Sequence, residues 1–271
     1  MTSEDKYILG RSDAEERRLA RQMAMLAPES EWMFDRIGIA AGERVLDLGC
    51  GPGGVLDLLA SRVGPSGSVL GIERSPHYVE LARRFVRSLG LHQVEVREGD
   101  AYATGLPVSS FDGAHMRLVL VNVPRPEEMA RELVRLVRPG GWVASLEADY
   151  LTVTCDPPHP TWTRLMDAFR AYAETQSVDL HVGRRTHRLL REAGLADIEV
   201  ATSVSALPVG NPRRWVMRDF VVNVREGIVS SGIMGEAALA DDLAAMSDHL
   251  NDPQVMVYSH LFVRAWGRVP A

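Results

Sequence analysis

The sequence predicts an α/β protein, with a doubly wound, mostly parallel seven-stranded sheet whose last strand runs antiparallel, plus a helical lid and helical insertions. Three observations predict this fold. Apolar runs that suit buried strands alternate with amphipathic helical stretches between residues 44 and 147. A glycine-rich loop follows the first apolar run, and a long alternating strand ends the chain after a mainly helical excursion. In such a sheet the ligand lies over the carboxyl ends of the strands.

The first half of the chain carries the alternation. Apolar residues at helical spacing, a proline at a helix start and a glycine after a helix end mark its helices. The predicted elements are helices over 13–26 and 29–37, a strand over 44–49, a helix over 53–63, a strand over 68–73, a helix over 76–89, strands over 94–100 and 111–120, a helix over 126–137 and a strand over 142–147.

The second half predicts fewer strands. We expect an irregular crossing over 149–160, helices over 161–175 and 184–193, a strand over 196–207, helices over 211–250 and a final strand over 255–268 at the edge of the sheet. The corresponding domain division is a helical lid over 1–40, a ligand-binding core over 41–150, an insertion and return to the core over 151–210, a helical cap over 211–250 and the C-terminal edge strand over 251–271.

The composition favours a soluble enzyme of the cytoplasm. The chain of 271 residues has a formal net charge of −6, which disfavours nucleic acid as a partner. We expect no membrane contact, since no run approaches the about 20 apolar residues of a membrane span. The N-terminus has no signal-peptide core. Of the two cysteines, Cys50 lies in the glycine loop and Cys155 far from it, so we expect free thiols, a reducing compartment and no metal site.

The glycine loop alone does not identify its ligand. Gly49, Gly51 and Gly54 spell G-x-G-x-x-G, which fits a nicotinamide dinucleotide or another adenosine-containing cofactor. Either ligand needs glycines because the backbone must approach it closely. Glu73 ends the second strand and suits a ribose, without choosing between the two. We interpret the match to the dinucleotide fingerprint as the accident of an extra glycine after Pro52.

Three neighbouring features discriminate between these ligands, and the first two favour a zwitterionic ligand with a single ribose. Asp47 precedes the glycines, where a carboxylate suits an ammonium group and is poorly placed beside a pyrophosphate. Asp100 follows the third strand and suits the exocyclic amine of adenine. Pro52 removes one N–H from a loop in which a pyrophosphate site would use such donors.

With these features the sequence resembles the class I S-adenosylmethionine-dependent methyltransferases. The stretches that carry the resemblance are VLDLGCGPGG, VLGIERS, REGDAYATGLP, FDGAHMRLVL and LVRPGGWVASLE, which stand in the family's order over residues 43–149. YILGRSDAEERRLARQ and the segment from DPPHPTW to GLADIEV are similar to the subgroup that methylates small molecules, including natural-product intermediates. The resemblance implies S-adenosyl-L-methionine as cofactor.

The resemblance also assigns roles by position. Gly49 and Gly51 would pass beside the methionine and ribose parts of the cofactor. Glu73 would hold the ribose hydroxyls, and Arg74 would flank the adenine.

Further along the chain, Asp100 would accept from the adenine amine and Ala101 would donate its backbone N–H to the ring. Arg117 and Leu118 would line the methionine and the sulfonium through their backbones. Tyr7 would cover the amino-acid end as part of a lid.

The catalytic group is harder to assign. Many relatives carry a histidine where this sequence has Asn122, and an amide cannot act as a general base near neutral pH. The remaining candidate bases are His159, His187, Tyr150 and above all His181, which we expect in a loop beside the insertion. Methyl transfer is largely a matter of positioning, so an amine acceptor needs no base.

The acceptor pocket is expected in the segments added to the core. Residues there that could line an apolar cavity, or else form ordinary core, are Met166, Phe169, Tyr172, Trp215, Met217, Phe220, Met234 and Met246. The leading interpretation is a methyltransferase for a small, partly apolar acceptor, with O-, N- or C-methylation undetermined. The alternatives are a non-methylating cyclase or decarboxylase on the same scaffold, or a macromolecule methyltransferase. Formation of a homodimer is left open.

Overall fold

A seven-stranded sheet forms the centre of the fold, and a second sheet of three short strands lies beside it. The computed structural model describes residues 13–271, with the side chains of residue 19 and of residues 23–271. The strands are β1 (Arg44–Leu48), β2 (Ser68–Glu73), β3 (Val94–Glu98), β4 (Phe111–Arg117), β5 (Val137–Asp149), β6 (Thr154–Asp156), β7 (Ala196–Ser203), β8 (Ala206–Leu207), β9 (Met256–Tyr258) and β10 (Leu261–Arg268).

Helices pack on the large sheet and build the added segments. They are α1 (Asp13–Ile37), α2 (Leu56–Val63), α3 (Pro76–Ser88), α4 (Pro126–Arg135), α5 (Pro160–Thr175), α6 (Val182–Glu192), α7 (Val216–Asn223), α8 (Arg225–Ser230) and α9 (Glu236–Asn251). None of the helices described in this structure is long and apolar enough to cross a membrane.

The strand order of the large sheet is β3-β2-β1-β4-β5-β10-β7. β1 pairs in parallel with β2 and β4, and β10 runs antiparallel to both β5 and β7. The predicted fold class, mostly parallel with an antiparallel last strand, is therefore confirmed. Because the chain reverses its winding direction at β1, the ends of β1 and β4 form the crevice in which such sheets bind ligands.

The predicted position of the last strand is wrong. β10 lies between β5 and β7, and β7 forms the edge. The strand is also interrupted at Ser259 and His260, both buried, and Ser259 bonds through its N–H and Oγ to Ser205. Hydrophobic alternation continues on both sides of this break, so the sequence pattern hides it. The strand expected over 196–207 is likewise interrupted, at Val204 and Ser205, and this divides it into β7 and β8, which belong to different sheets.

Several predicted helix boundaries also differ. One helix, α1, replaces the two expected before β1, although Pro28 lies inside it. A proline removes one backbone hydrogen bond, but burial of Leu26, Met33 and Phe34 at helical spacing continues across it. α2 begins only at Leu56, because the preceding glycines adopt positive φ.

Candidate functional site

A cavity of about 220 Å³ opens at the carboxyl ends of β1 to β5. Within the described chain, every residue predicted to bind the cofactor lines it: Asp47, Gly49, Gly51, Glu73, Arg74, Asp100, Ala101, Arg117 and Leu118. Tyr7 lies outside the described residues. Leu19 and Met23 of α1 also line the cavity, so the N-terminal helix contributes to its wall.

The glycine loop between β1 and α2 forms the floor of the cavity. Three of its glycines differ in the space that a Cβ would meet. Gly49 has φ +77°, and a Cβ there would lie 2.7 Å from Cγ2 of Val119. Gly51 has φ +56° and faces open space. Gly54 has φ +42°, and a Cβ would lie 2.8 Å from the carbonyl oxygen of Cys50. The tight turn therefore requires glycine at position 54, a requirement that the sequence pattern alone did not reveal.

Glu73 is held at the end of β2 by two backbone groups. Its Oε2 accepts from the N–H of Gly51 at 3.1 Å, and its Oε1 accepts from the N–H of Ser75 at 2.8 Å. Asp100 follows β3 and accepts through Oδ1 from the N–H of Tyr102 at 2.9 Å. Backbone N–H groups of the neighbouring loops thus orient both carboxylates, and both residues border the cavity.

Asp47 is paired with a residue that sequence reasoning missed. Nδ1 of His115 lies 2.8 Å from Oδ1 of Asp47, and both side chains are buried. The two residues are register partners on β1 and β4. Nε2 of His115 has no partner among the described residues, so we assign the ring proton to Nδ1, which donates it to the carboxylate.

Arg117 lies two residues beyond His115 and presents a cation to the cavity. Its guanidinium donates to Oγ of Ser30 at 3.2 Å and to the carbonyl oxygen of Gly54 at 2.9 Å. No carboxylate oxygen among the described residues lies within 4.0 Å of it. Burial lowers the pKa of Arg117 to about 10, so the group stays charged at neutral pH. The cavity is therefore lined by the carboxyl group of Asp47 and the guanidinium of Arg117, which form no ion pair within 4.0 Å.

The turn after β4 is held by a buried acid. Oε1 of Glu147 accepts from the N–H groups of Val119 and Leu120 at 3.1 and 3.0 Å, and Oε2 accepts from that of Val121 at 3.2 Å. Leu118 precedes this turn with φ +54°, an unfavourable conformation for a leucine. Burial raises the pKa of Glu147 to about 7. Sequence reasoning did not single out Glu147, because its place in an apolar strand resembles the end of a core element.

His181 does not join the other predicted site residues. Its Nδ1 lies 2.9 Å from Oδ1 of buried Asp149, which also bonds to Arg184, and His181 does not line the cavity. His159 caps α5, its ring centroid lies 4.7 Å from that of His249 with the rings tilted by 34°, and it too is absent from the cavity lining.

His187, inside α6, is likewise absent from the cavity lining, and only Tyr150 of the candidate bases borders the cavity. None of the eight apolar residues proposed for an acceptor pocket lines this cavity; Phe169 and Phe220, for example, are buried in the core. The described residues contain no group of three or more His, Cys, Asp or Glu placed to hold a metal ion.

Comparison with known proteins identifies the family. A family model described as a methyltransferase domain matches residues 39–194, more than half of the chain. A demethylmenaquinone methyltransferase of Listeria welshimeri is 31% identical over 134 residues, which are 49% of this chain and 54% of the relative. The chain spans about half the length of the curated relatives that it matches first.

Solved structures share the fold at low sequence identity. The cyclase SpnF is 22% identical with a TM-score of 0.52, over 90% of this chain and 82% of that one. A phosphoethanolamine N-methyltransferase of Haemonchus contortus, solved with S-adenosylhomocysteine, is 18% identical with a TM-score of 0.57, over 90% of this chain and 53% of that one. At these identities the likeness concerns the fold, which alone does not determine chemistry.

Proposed function

The chain belongs to the methyltransferase domain family, and we propose that it transfers a methyl group from S-adenosyl-L-methionine to a small, partly apolar molecule. One observation carries this proposal. The cavity crosses the strand ends in the order β3, β2, β1, β4. The polar groups met along this path suit, in turn, the adenine, the ribose and the amino-acid end of the cofactor, which is the order in which these parts are joined.

The adenosine half of the cofactor fits the β3 and β2 side. Asp100, after β3, would accept from the adenine amine, and Glu73, at the end of β2, would accept from the ribose hydroxyls. Ser75 supports this assignment: its Oγ is buried at the cavity wall without a hydrogen-bond partner among the described residues. Gly51, where a Cβ would enter open space, leaves room for a ligand against the loop.

The amino-acid half fits the β1 and β4 side. His115 holds Oδ1 of Asp47 and so fixes the carboxylate at the cavity wall. In this position Asp47 would bind the ammonium. Arg117, which has no acidic contact partner among the described residues, would bind the carboxylate. Each group bonds to a different neighbour, and both line the cavity where the two ends of a zwitterion would lie.

The protein's part in the reaction is alignment and exclusion of water. The bound cofactor supplies a methyl group on a sulfonium, which is already a good leaving group. The strained turn at Leu118, fixed by Glu147, forms the wall beside Arg117. Holding the acceptor in line with the methyl group is the kind of positioning that lowers the barrier without further chemistry.

The nature of the acceptor is inferred from the rest of the wall. Beyond β4 the cavity is lined by Val123, Pro124, Met129 and Tyr150, which suits a partly apolar molecule such as a secondary-metabolite intermediate. A relative that methylates demethylmenaquinone supports a small acceptor. The net charge of −6 disfavours RNA. The buried, unpaired Cys50 and Cys155 are consistent with work in the cytoplasm.

A non-methylating enzyme on this scaffold is the second candidate. The observation that favours it is the likeness in fold to the cyclase SpnF. The two candidates differ in product: a methyltransferase releases S-adenosylhomocysteine for each acceptor consumed, whereas a cyclase leaves the cofactor intact.

The experiment that tests the proposal has two stages. Calorimetric titration with S-adenosylhomocysteine tests the cofactor, and release of that product from S-adenosylmethionine, followed over a panel of small acceptors, tests the transfer. Binding together with release supports the proposed function. Binding without release from any acceptor, or no binding, would overturn it.

A further inference from the structure

Asn122 presents a buried oxygen that the described protein leaves without a donor. The residue is 9% exposed, and its Nδ2 donates to the carbonyl oxygen of Leu118 at 2.8 Å. Because that carbonyl can only accept, the bond determines which end of the amide is nitrogen. Oδ1 is then the acceptor, and no donor among the described residues reaches it. A buried acceptor without a donor is unfavourable and calls for an explanation.

The amide cannot easily turn to find another partner. The backbone N–H of Asn122 donates to the carbonyl oxygen of Val119 at 3.0 Å, and Glu147 holds the N–H groups of the same turn. Leu118, whose carbonyl orients the amide, lies in the left-handed region at φ +54°. Backbone strain that the surroundings maintain is typical of functional sites. The protein thus keeps Oδ1 in one direction at a structural cost.

Asn122 lies on a part of the cavity wall to which no contact with the cofactor has been assigned. In the strand order, the adenosine side corresponds to β3 and β2 and the amino-acid side to β1 and β4. Asn122 and Tyr150, which follow β4 and β5, continue the cavity on the side away from the adenine. We propose that Oδ1 of Asn122 lies at the methyl-transfer position and accepts a hydrogen bond from the nucleophilic amine of the acceptor. This inference rests on the proposed function.

An amine is the acceptor class that requires least of this wall, because it needs no base, and of the four candidate bases only Tyr150 borders the described cavity. No histidine or lysine lines the described cavity, and Asp47 and Glu73 are engaged in the proposed cofactor contacts. A phenol or alcohol needs a base to remove its proton, which an amide does not supply. With an amine, the nitrogen lone pair forms the N–C bond while the C–S bond breaks and its electron pair stays on sulfur. The positive charge passes to nitrogen, which afterwards releases a proton to water.

Sinefungin, a cofactor analogue in which a carbon bearing an amine replaces the methylated sulfur, probes this position without a known acceptor. We expect the wild-type protein to prefer sinefungin over S-adenosylhomocysteine, and Asn122→Leu to reduce that preference by about tenfold or more. Asn122→Asp keeps an acceptor and should retain the preference. Ser75→Ala is the matched control, because it removes a buried hydroxyl at the adenosine side and should change both affinities alike.

The outcomes separate this inference from the proposed function. Failure of wild type to bind S-adenosylhomocysteine counts against the function itself. Normal binding, with an affinity ratio unchanged in Asn122→Leu, overturns the role of Asn122. If Asn122→Leu does not fold, loss of the preference in Asn122→Asp overturns it and retention supports it.

A second readout addresses the acceptor class. S-adenosylhomocysteine release is measured over paired primary or secondary amines and the phenols or alcohols of the same carbon skeleton. Turnover of amines, lowered in Asn122→Leu, supports the proposal. Turnover of phenols or alcohols only, or of no amine while the cofactor still binds, overturns it.

Discussion

The imidazole of His115 holds the carboxylate of Asp47 across two adjacent strands, with Nδ1 and Oδ1 2.8 Å apart. The bond engages one oxygen of Asp47, which lines the cavity, and fixes the orientation of its carboxylate there. His115 is therefore a positioning residue for the proposed cofactor site, although it does not line the cavity itself.

Replacing His115 should weaken recognition of the amino-acid end alone. We expect His115→Val to lower the affinity for S-adenosylhomocysteine by about tenfold, the value of one charge-assisted hydrogen bond. The affinity for 5′-methylthioadenosine, which lacks the ammonium and carboxylate, should stay the same. Calorimetry with both ligands checks this, with Asp47→Asn as the direct comparison. Equal losses for the two ligands would indicate a general structural defect instead.

Replacing Glu73 should weaken cofactor binding through the ribose. Each charge-assisted hydrogen bond that is lost is worth about 1.5–3 kcal/mol. Glu73→Ala should therefore raise the dissociation constant of S-adenosylhomocysteine by at least about tenfold. Glu80→Ala is the control, since Glu80 is an exposed glutamate that pairs with Arg87 on α3. Unchanged affinity in Glu73→Ala would refute the ribose assignment.

The buried Glu147 should make stability depend on pH. Burial raises its pKa to about 7 in the folded protein, against about 4.3 in an unfolded chain. Between these values the folded state binds more protons, so the contribution of Glu147 to stability falls as pH rises and levels off above about pH 7. The whole fall is at most about 4 kcal/mol.

Urea unfolding of wild type and Glu147→Gln, followed from about pH 4 to about pH 8, measures this contribution as a difference. We expect the variant to be less stable at every pH, because an amide nitrogen would replace one of the oxygens that accept from the turn. Its free energy of unfolding should nevertheless decline less steeply over this range. Parallel curves of unfolding free energy against pH for the two proteins would show that Glu147 does not change its protonation between the pKa of the unfolded chain and that of the folded protein.

Two glycines of the loop should respond differently to alanine. Both have positive φ, which costs about 1 kcal/mol or more for a residue with a Cβ. At Gly49 the Cβ would also meet Cγ2 of Val119 at 2.7 Å, whereas at Gly51 it would enter open space. Gly49→Ala should therefore lower the melting temperature more than Gly51→Ala. Calorimetry should show that Gly51→Ala, although better folded, still weakens cofactor binding; equal melting temperatures would contradict this reading of the loop.

Local patterns made the sheet and part of the cavity lining predictable. The alternation of apolar strands and amphipathic helices gives the fold class, and acids at strand ends give Asp47, Glu73 and Asp100. His115 and Glu147 were not predictable in this way, because their partners come from other strands or from a turn. The bond between His115 and Asp47 spans 68 residues of sequence, and only the sheet register brings the two together.

The interruptions of secondary structure were also hidden. Pro28 predicts a helix end that burial on both of its sides prevents, and the buried Ser259 and His260 break a strand whose alternation continues past them. His181 was misplaced for a related reason: its position in a loop is right, but its bond to Asp149 holds it away from the cavity lining.

The central claim is that this cavity binds S-adenosylmethionine and its product rather than a nicotinamide dinucleotide. Calorimetric titration of the full chain with S-adenosylhomocysteine and, separately, with NADH tests it most directly. We expect S-adenosylhomocysteine to bind with a dissociation constant in the micromolar range or below, and Arg117→Met to weaken it, while NADH gives no saturable heat. Saturable binding of NADH without binding of S-adenosylhomocysteine would contradict the account.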